Sequence, residues 1–261
     1  MQKYILEYGY DEKYNAGSKA RDDIRIILNR EGYKTVLLNK FDIVISHNTT
    51  MTKYLRDSGL TTKCIEIKIF DYICNENKNE SFNNQTETIV FAGNLSEEKS
   101  GFLYKINTDI VNNLKFNLFG VGLNNNILSN VIQYKGRYNP CELPSKLEGN
   151  FGLVWDGNSI EKCSGVLGEY LRYNNPHKAS LYIAAGIPII TWRESALGKF
   201  VKKYDIGILI DNLKDLKTLN VDTEYYKELK ANILKIQSKV KAGLYTKAVF
   251  KECEELLFCS V

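Results

Sequence analysis

The sequence has few of the residues that most often build metal and nucleophile sites. It holds two histidines, His47 and His177, and its six cysteines (Cys64, Cys74, Cys141, Cys163, Cys253, Cys259) are dispersed, with no Cys-x-x-Cys. That scarcity argues against a structural zinc site and a Cys–His or Ser–His–Asp centre, and implies reduced thiols. No Asp-x-Asp follows an apolar strand, so a metal-independent site without a resident cofactor is expected. The longest apolar stretch, around Leu181 to Trp192, contains Gly, Pro and Thr and falls short of the ~18 residues of a membrane span. The opening MQKYILEYGYDEKY has no long apolar core before a small-residue cleavage site, which makes a cytoplasmic protein the expectation. A net charge of +4, from 35 basic and 31 acidic residues, is too small an excess to argue for nucleic acid, though it permits phosphate-bearing ligands or an anionic membrane surface.

What is present is an ordinary globular composition, 44% hydrophobic and 25% charged over 261 residues, enough for one large domain or two modest ones. Strands are expected at Lys3–Tyr8, Tyr33–Leu38, Phe41–Ser46 and Cys64–Lys68, with helices at Lys19–Arg30 and Thr49–Ser58. Only Asn39 and Lys40 separate the strand cores at Tyr33–Leu38 and Phe41–Ser46. A parallel pair needs a crossover of a dozen or more residues, so a regular pattern looks interrupted there. The polar segment NENKNESFNNQTE (75–87) marks a boundary. Beyond it, short buried strands (Thr88–Ala92, Phe116–Gly120, Asn150–Trp155, Ile187–Trp192, Ile206–Ile210) alternate with helices, which implies an α/β, doubly wound parallel sheet. Thr223–Leu257 reads as helices broken around Gly243. The expected domains are therefore 1–84, 85–222 and a helical tail, 223–261.

Ligands of such sheets bind beyond the carboxyl ends of the strands. VFAGNLS places Gly93 and Asn94 after a strand, where a residue without a Cβ lets backbone N–H groups approach a phosphate; an ordinary glycine turn is the alternative. LFGVGLNNN lacks the third glycine of a dinucleotide fingerprint, which argues against a dehydrogenase. The longest polar stretch between apolar strands, VWDGNSIEKCSGVLGEYLRYNNPHK, carries Asp156, Glu161, Ser164, Glu169, Tyr170 and Asn174 ahead of Lys178, and such loops carry binding chemistry on rigid scaffolds.

Within it, Asn175 has the chemistry of an N-cap, Pro176 suits the first helical position, and Gly186 suits the end of a helix running from His177 to Ala185. Lys178 then lies at the positive end of a helix, where it is repelled by roughly 0.3–1 kcal/mol unless an anion is near. A bound phosphate would reverse that sign; a long lysine reaching into solvent would escape it.

The segments DIVISHNTTMTKYL, IKIFDYI, IVFAGNLSEEK, FGLVWDGNSIEKCSGVLGEYLRYNNPHKASLYIAAGIPIITW and DIGILI closely resemble bacterial β-1,6-galactofuranosyltransferases of surface-polysaccharide (O-antigen and capsule) synthesis. More distantly they resemble the GT-B glucosyltransferases of bacterial adhesins. The resemblance runs from about Phe41 to Ile210, with a weaker match at NAGSKARDDI (Asn15–Ile24). It implies a GT-B fold of two facing Rossmann-like domains, with the nucleotide sugar held by the C-terminal one. Lys178 and its helix would bind the UDP diphosphate. Glu169, Tyr170, Asn174 and Asn175 would contact uridine, ribose or sugar, with Asp156 and His177 in the same donor-side set. Gly93 and Asn94 would border the cleft, and Gly17 would line it from the N-terminal side.

The resemblance also implies further strand–helix units and a His-Asp loop ahead of FDIVISHN, which this chain lacks, leaving residues 1–84 as a reduced acceptor-side domain and the catalytic base unassigned. The activity implied is inverting transfer of galactofuranose from UDP-galactofuranose, or another UDP-hexose, to an oligosaccharide or lipid-linked acceptor. The alternative is an inactive or partner-dependent nucleotide-sugar-binding remnant. Peripheral membrane contact through Lys214, Lys217, Lys227, Lys230 and Lys235, or a homo-oligomer, is compatible with this expectation; those lysines read equally well as a solvated helix face.

Overall fold

The computed structural model describes residues 33–74, 88–112, 114–219 and 221–258. They group into two compact units, 33–67 with 249–258, and 68–248. The division falls between Ile67 and Lys68, ahead of the Asn-rich stretch expected to mark it. The intervening residues belong to the larger unit because Ile69 is buried in its core and the Tyr72 N–H donates to Val240 O at 3.0 Å. The expected strand Lys3–Tyr8, the helix Lys19–Arg30 and Gly17 lie outside the described residues.

The smaller unit contains α1 (Tyr33–Leu38), β1 (Ile43–Ser46), α2 (Thr49–Asp57) and β2 (Lys63–Glu66). β1 and β2 are parallel, from Ile43 opposite Lys63 to Ser46 opposite Glu66, with α2 as the crossover. Asn48 caps α2, its side chain accepting from the Met51 N–H. Tyr33–Leu38 is a helix, not the strand its β-branched residues predict. A sheet position would require a neighbour, and β1 and β2 pair only with each other among the described residues. Coiling satisfies the backbone internally, and Thr35 Oγ1, donating to Ser58 O at 2.7 Å, ties the helix down. Asn39 and Lys40 therefore lie between a helix and a strand, so the strand-to-strand link that looked too short does not arise.

The larger unit contains β3 (Thr88–Asn94), α3 (Glu97–Ser100), α4 (Thr108–Val111), β4 (Lys115–Val121), β5 (Ile132–Gly136), α5 (Leu143–Lys146), β6 (Phe151–Val154), α6 (Gly165–Tyr170), α7 (His177–Ala184), β7 (Ile189–Trp192), α8 (Ala196–Tyr204), β8 (Gly207–Ile210), α9 (Thr223–Lys241) and α10 (Leu244–Phe258), whose last residues belong with the smaller unit. Its six strands are parallel in the order β5-β4-β3-β6-β7-β8. This is the doubly wound nucleotide-binding order, whose chain direction reverses between β3 and β6. β5 was missed in the sequence, because IQYKG is short and mostly polar on a sheet edge.

The reversal point is open by construction. β3 pairs with β4 along its whole length but with β6 only at Ile89–Phe151 and Val90–Gly152. Beyond that the strands part, and Tyr182 of α7 fills the gap. Its hydroxyl accepts from the Ala92 N–H at 3.0 Å and shares its proton between Val90 O (3.3 Å) and Leu153 O (3.2 Å). Its ring lies where a Cβ on residue 152 would come within 2.3 Å, so Gly152 admits it. Burial raises the Tyr182 pKa and keeps the phenol neutral. α9 covers α7, with Lys230 donating to Gly186 O and Gln237 to Ala184 O, both at 2.8 Å.

Candidate functional site

The site lies where β3 and β6 end. α7 begins at His177, where the expected helical run starts, but its cap lies one residue later than the sequence suggests. Pro176, extended at φ −73° and ψ 153°, occupies the N-cap position and contributes no side-chain cap. Asn175 is buried and does not cap the helix; its Nδ2 donates to Lys68 O. The amide thus serves tertiary packing, which explains why the expected cap fails. The Ala179 N–H in the first turn of α7 donates to Pro176 O at 2.9 Å.

Lys178, in that first turn, turns inward. Its Nζ donates to Asp156 Oδ1 at 2.8 Å and to Trp155 O at 3.4 Å, and lies 4.2 Å from the centre of the Phe91 ring. The two charged side chains are only 14% and 12% exposed. The anion that offsets the helix dipole is therefore supplied within the chain, by Asp156 at the end of β6. Neither residue is the solvated charge that sequence alone allowed.

Gly93, at the end of β3, stands beside this pair. A Cβ there would meet Lys178 Cε at 3.2 Å, and φ at Gly93 is +148°. Across β4, a Cβ on Gly120 would strike Gly93 O at 1.8 Å. The two paired glycines thus let β3 and β4 approach closely at the rim. Asn94 is exposed, and its Oδ1 accepts from the Ser96 N–H at 2.9 Å, so its side chain shapes the turn after β3.

The remaining predicted residues come together around α6 and α7. Glu169 accepts from Arg172 Nε at 2.7 Å; the same guanidinium binds Glu194 and lies 4.4 Å over the Trp192 ring. Tyr170 closes α6, and its carbonyl accepts from the Asn174 N–H at 3.1 Å. Asn174 is 8% exposed, and its Oδ1 is buried without a hydrogen-bond partner. His177 is exposed at its edge, yet its ring is stacked on Phe70, 4.3 Å between centroids and 15° between planes. Desolvation holds its pKa below 6.5. Gly17 lies outside the described residues. Arg172, Phe70 and Tyr182 were not singled out from sequence. Only Arg172 left a local signal, an i,i+3 opposite-charge spacing from Glu169.

Among the described residues, no group of three or more His, Cys, Asp or Glu side chains could hold a metal ion, and no helix is long and apolar enough to cross a membrane. Of the five lysines considered for membrane contact, Lys214 pairs with Glu161 (2.6 Å), Lys227 with Glu224 (2.8 Å), Lys235 with Asn232 (2.7 Å) and Lys230 with Gly186 O.

Residues 89–253 match the family model described as glucosyltransferase 3-like, C-terminal domain. The chain is 35% identical to β-1,6-galactofuranosyltransferase WbbI of Escherichia coli (strain K12) over 236 residues, 88% of this chain and 68% of that protein. Sucrose-phosphate synthase from Thermosynechococcus elongatus has a similar structure (TM-score 0.57, 14% identity, 95% of this chain and 65% of that one). So does Anabaena Alr3699/HepE in complex with UDP and glucose (TM-score 0.55, 15% identity, 85% and 66%). The chain thus spans about two thirds of the length of these relatives. The match over the parallel-sheet unit and the identity with WbbI place the chain in the glucosyltransferase 3-like family of glycosyltransferases, with the GT-B fold.

Proposed function

We propose that this chain transfers galactofuranose from UDP-galactofuranose to a hydroxyl of a lipid-linked oligosaccharide during surface-polysaccharide synthesis, at the cytoplasmic face of the membrane. The observation that carries the donor half is Lys178, held in the first turn of α7 where β3 and β6 part. A lysine ammonium has three N–H donors, and two of those on Lys178 point to Asp156 and Trp155. The third is available to a diphosphate oxygen, at the positive end of the helix dipole. Similarity to WbbI supports the galactofuranosyl donor, and the fold shared with HepE supports a UDP-sugar.

In the proposed reaction an acceptor oxygen attacks the anomeric carbon with inversion. The bond from that carbon to the β-phosphate oxygen breaks, UDP departs with the electron pair, and the acceptor proton passes to a general base. Charge developing on the diphosphate is met by Lys178 and the α7 N-terminus, so we propose that no divalent metal is required.

The test is thermal unfolding with UDP, against ADP and GDP, followed by a transfer assay. Saturation to ~100 times the dissociation constant adds about 2.7 kcal/mol. A UDP-selective rise with galactofuranosyl transfer supports the proposal. A rise without transfer to any acceptor would indicate the nucleotide-sugar-binding remnant, and a cooperative melt without a shift would overturn the donor site.

A further inference from the structure

The Lys178–Asp156 pair is neutral as a unit, which is an unusual endowment for a site meant to hold only a diphosphate. Asp156 uses Oδ1 for Lys178, and no donor reaches its Oδ2 among the described residues. The side chain is nearly but not wholly buried, 12% exposed, at the end of β6. Gly93 and the Phe91 ring lie against the stem and ammonium of Lys178, beside Asp156. The pair therefore offers, side by side, one spare donor and one spare charged acceptor. A phosphate oxygen suits the first and is repelled by the second. A hydroxyl hydrogen suits the second, and hydrogen bonds to a carboxylate are the strong kind.

We infer that Asp156 is a specificity-determining residue that reads the transferred glycosyl group: its Oδ2 accepts a hydroxyl of the sugar while its Oδ1 holds Lys178 toward the adjoining phosphate. This rests on the donor reading above and goes beyond it. The pair would span the junction whose bond is broken, acceptor toward the sugar and donor toward the phosphate. A second consequence concerns product. Once the sugar has left, the carboxylate faces UDP without a hydroxyl to satisfy it and opposes the negative diphosphate, which lowers the affinity for UDP relative to the UDP-sugar.

The test compares dissociation constants of UDP, UDP-galactofuranose and monodeoxy UDP-galactofuranose donors by calorimetry, for the wild type and Asp156→Asn. In the wild type, one deoxy donor should bind about 10- to 100-fold more weakly than the parent, the value of a hydrogen bond to a charged group. In Asp156→Asn that discrimination should vanish while UDP itself binds more tightly, because Lys178 is no longer neutralised. A merely structural role would weaken all ligands together. Equal binding of the parent and every deoxy donor by the wild type overturns the inference without any mutant, as does an Asp156→Asn protein that still discriminates. Failure of the wild type to bind UDP at all would instead remove the donor reading itself.

Discussion

Tyr182 and Lys178 are four residues apart on α7 and point the same way, toward the gap where β3 and β6 separate. Tyr182 closes the lower part of the gap by bonding backbone of both strands. Lys178 closes the upper part by bonding the end of β6 and packing on Phe91 of β3. One helical face thus converts a break in strand pairing into a filled core with a polar rim. The core role and the binding role can be separated by mutation.

Tyr182→Phe removes the acceptor for the Ala92 N–H and the donor to Val90 and Leu153, with little change in shape. The expected loss is about 1–3 kcal/mol, the cost of leaving buried polar groups unpaired. Denaturant unfolding would measure it, with binding of UDP to the folded fraction largely retained.

For the pair itself, Lys178→Ala strands a largely buried carboxylate and should cost roughly 3 kcal/mol. The double variant Lys178→Ala, Asp156→Ala removes both charges and should regain much of that stability while still failing to bind UDP. If stability and binding recovered together, Lys178 would be a structural residue and nothing more.

Alanine scanning of two glycines one strand apart should give opposite profiles. Gly120→Ala forces a Cβ against Gly93 O, at a separation of 1.8 Å without relaxation, at φ +139°. The chain should be destabilised by several kcal/mol, on the order of the largest single-site effects, and express poorly. Gly93→Ala is also strained, at φ +148°, but meets the flexible side chain of Lys178, at 3.2 Å to Cε, and no backbone. Its folding penalty should be smaller, and its main effect should be a raised KM for the donor as Lys178 is displaced.

His177 allows a pH test, since the chain has only one other histidine, His47. Its pKa lies below 6.5 through desolvation, so the folded state resists its protonation. The unfolded chain then binds more protons than the folded one as pH falls through 6.5 toward the folded value. This part of the stability is therefore complete above pH 6.5 and declines below it. Phe70→Ala removes the stacked ring and should move the His177 titration, followed by NMR, back up toward 6.5. An unchanged titration would show that Phe70 does not shield the imidazole.

If Lys178 and the α7 N-terminus carry the charge of the leaving diphosphate, transfer should proceed at an unchanged rate in excess EDTA. Abolition by EDTA with recovery on adding a divalent ion would show that a metal shares that task.

The local chemistry of the sequence determined the alternating elements of the larger unit other than the polar edge strand β5, the helix that Gly186 ends and β7 follows, and the break at Gly243, because period and glycine signals act within a few residues. It also pointed to Lys178, since a cation in the first turn of a helix is a local electrostatic conflict. Tertiary structure alone decided how that conflict is resolved. Asp156 is 22 residues away and becomes its partner only because β6 ends beside the first turn of α7. The same holds for Tyr33–Leu38, whose β-branched residues favour extension but which pairs with no strand among the described residues, and for Asn175, diverted from capping α7 to the carbonyl of Lys68. Each of these outcomes depends on which segments lie side by side in space, and residues far apart in the chain meet only after the sheet has formed.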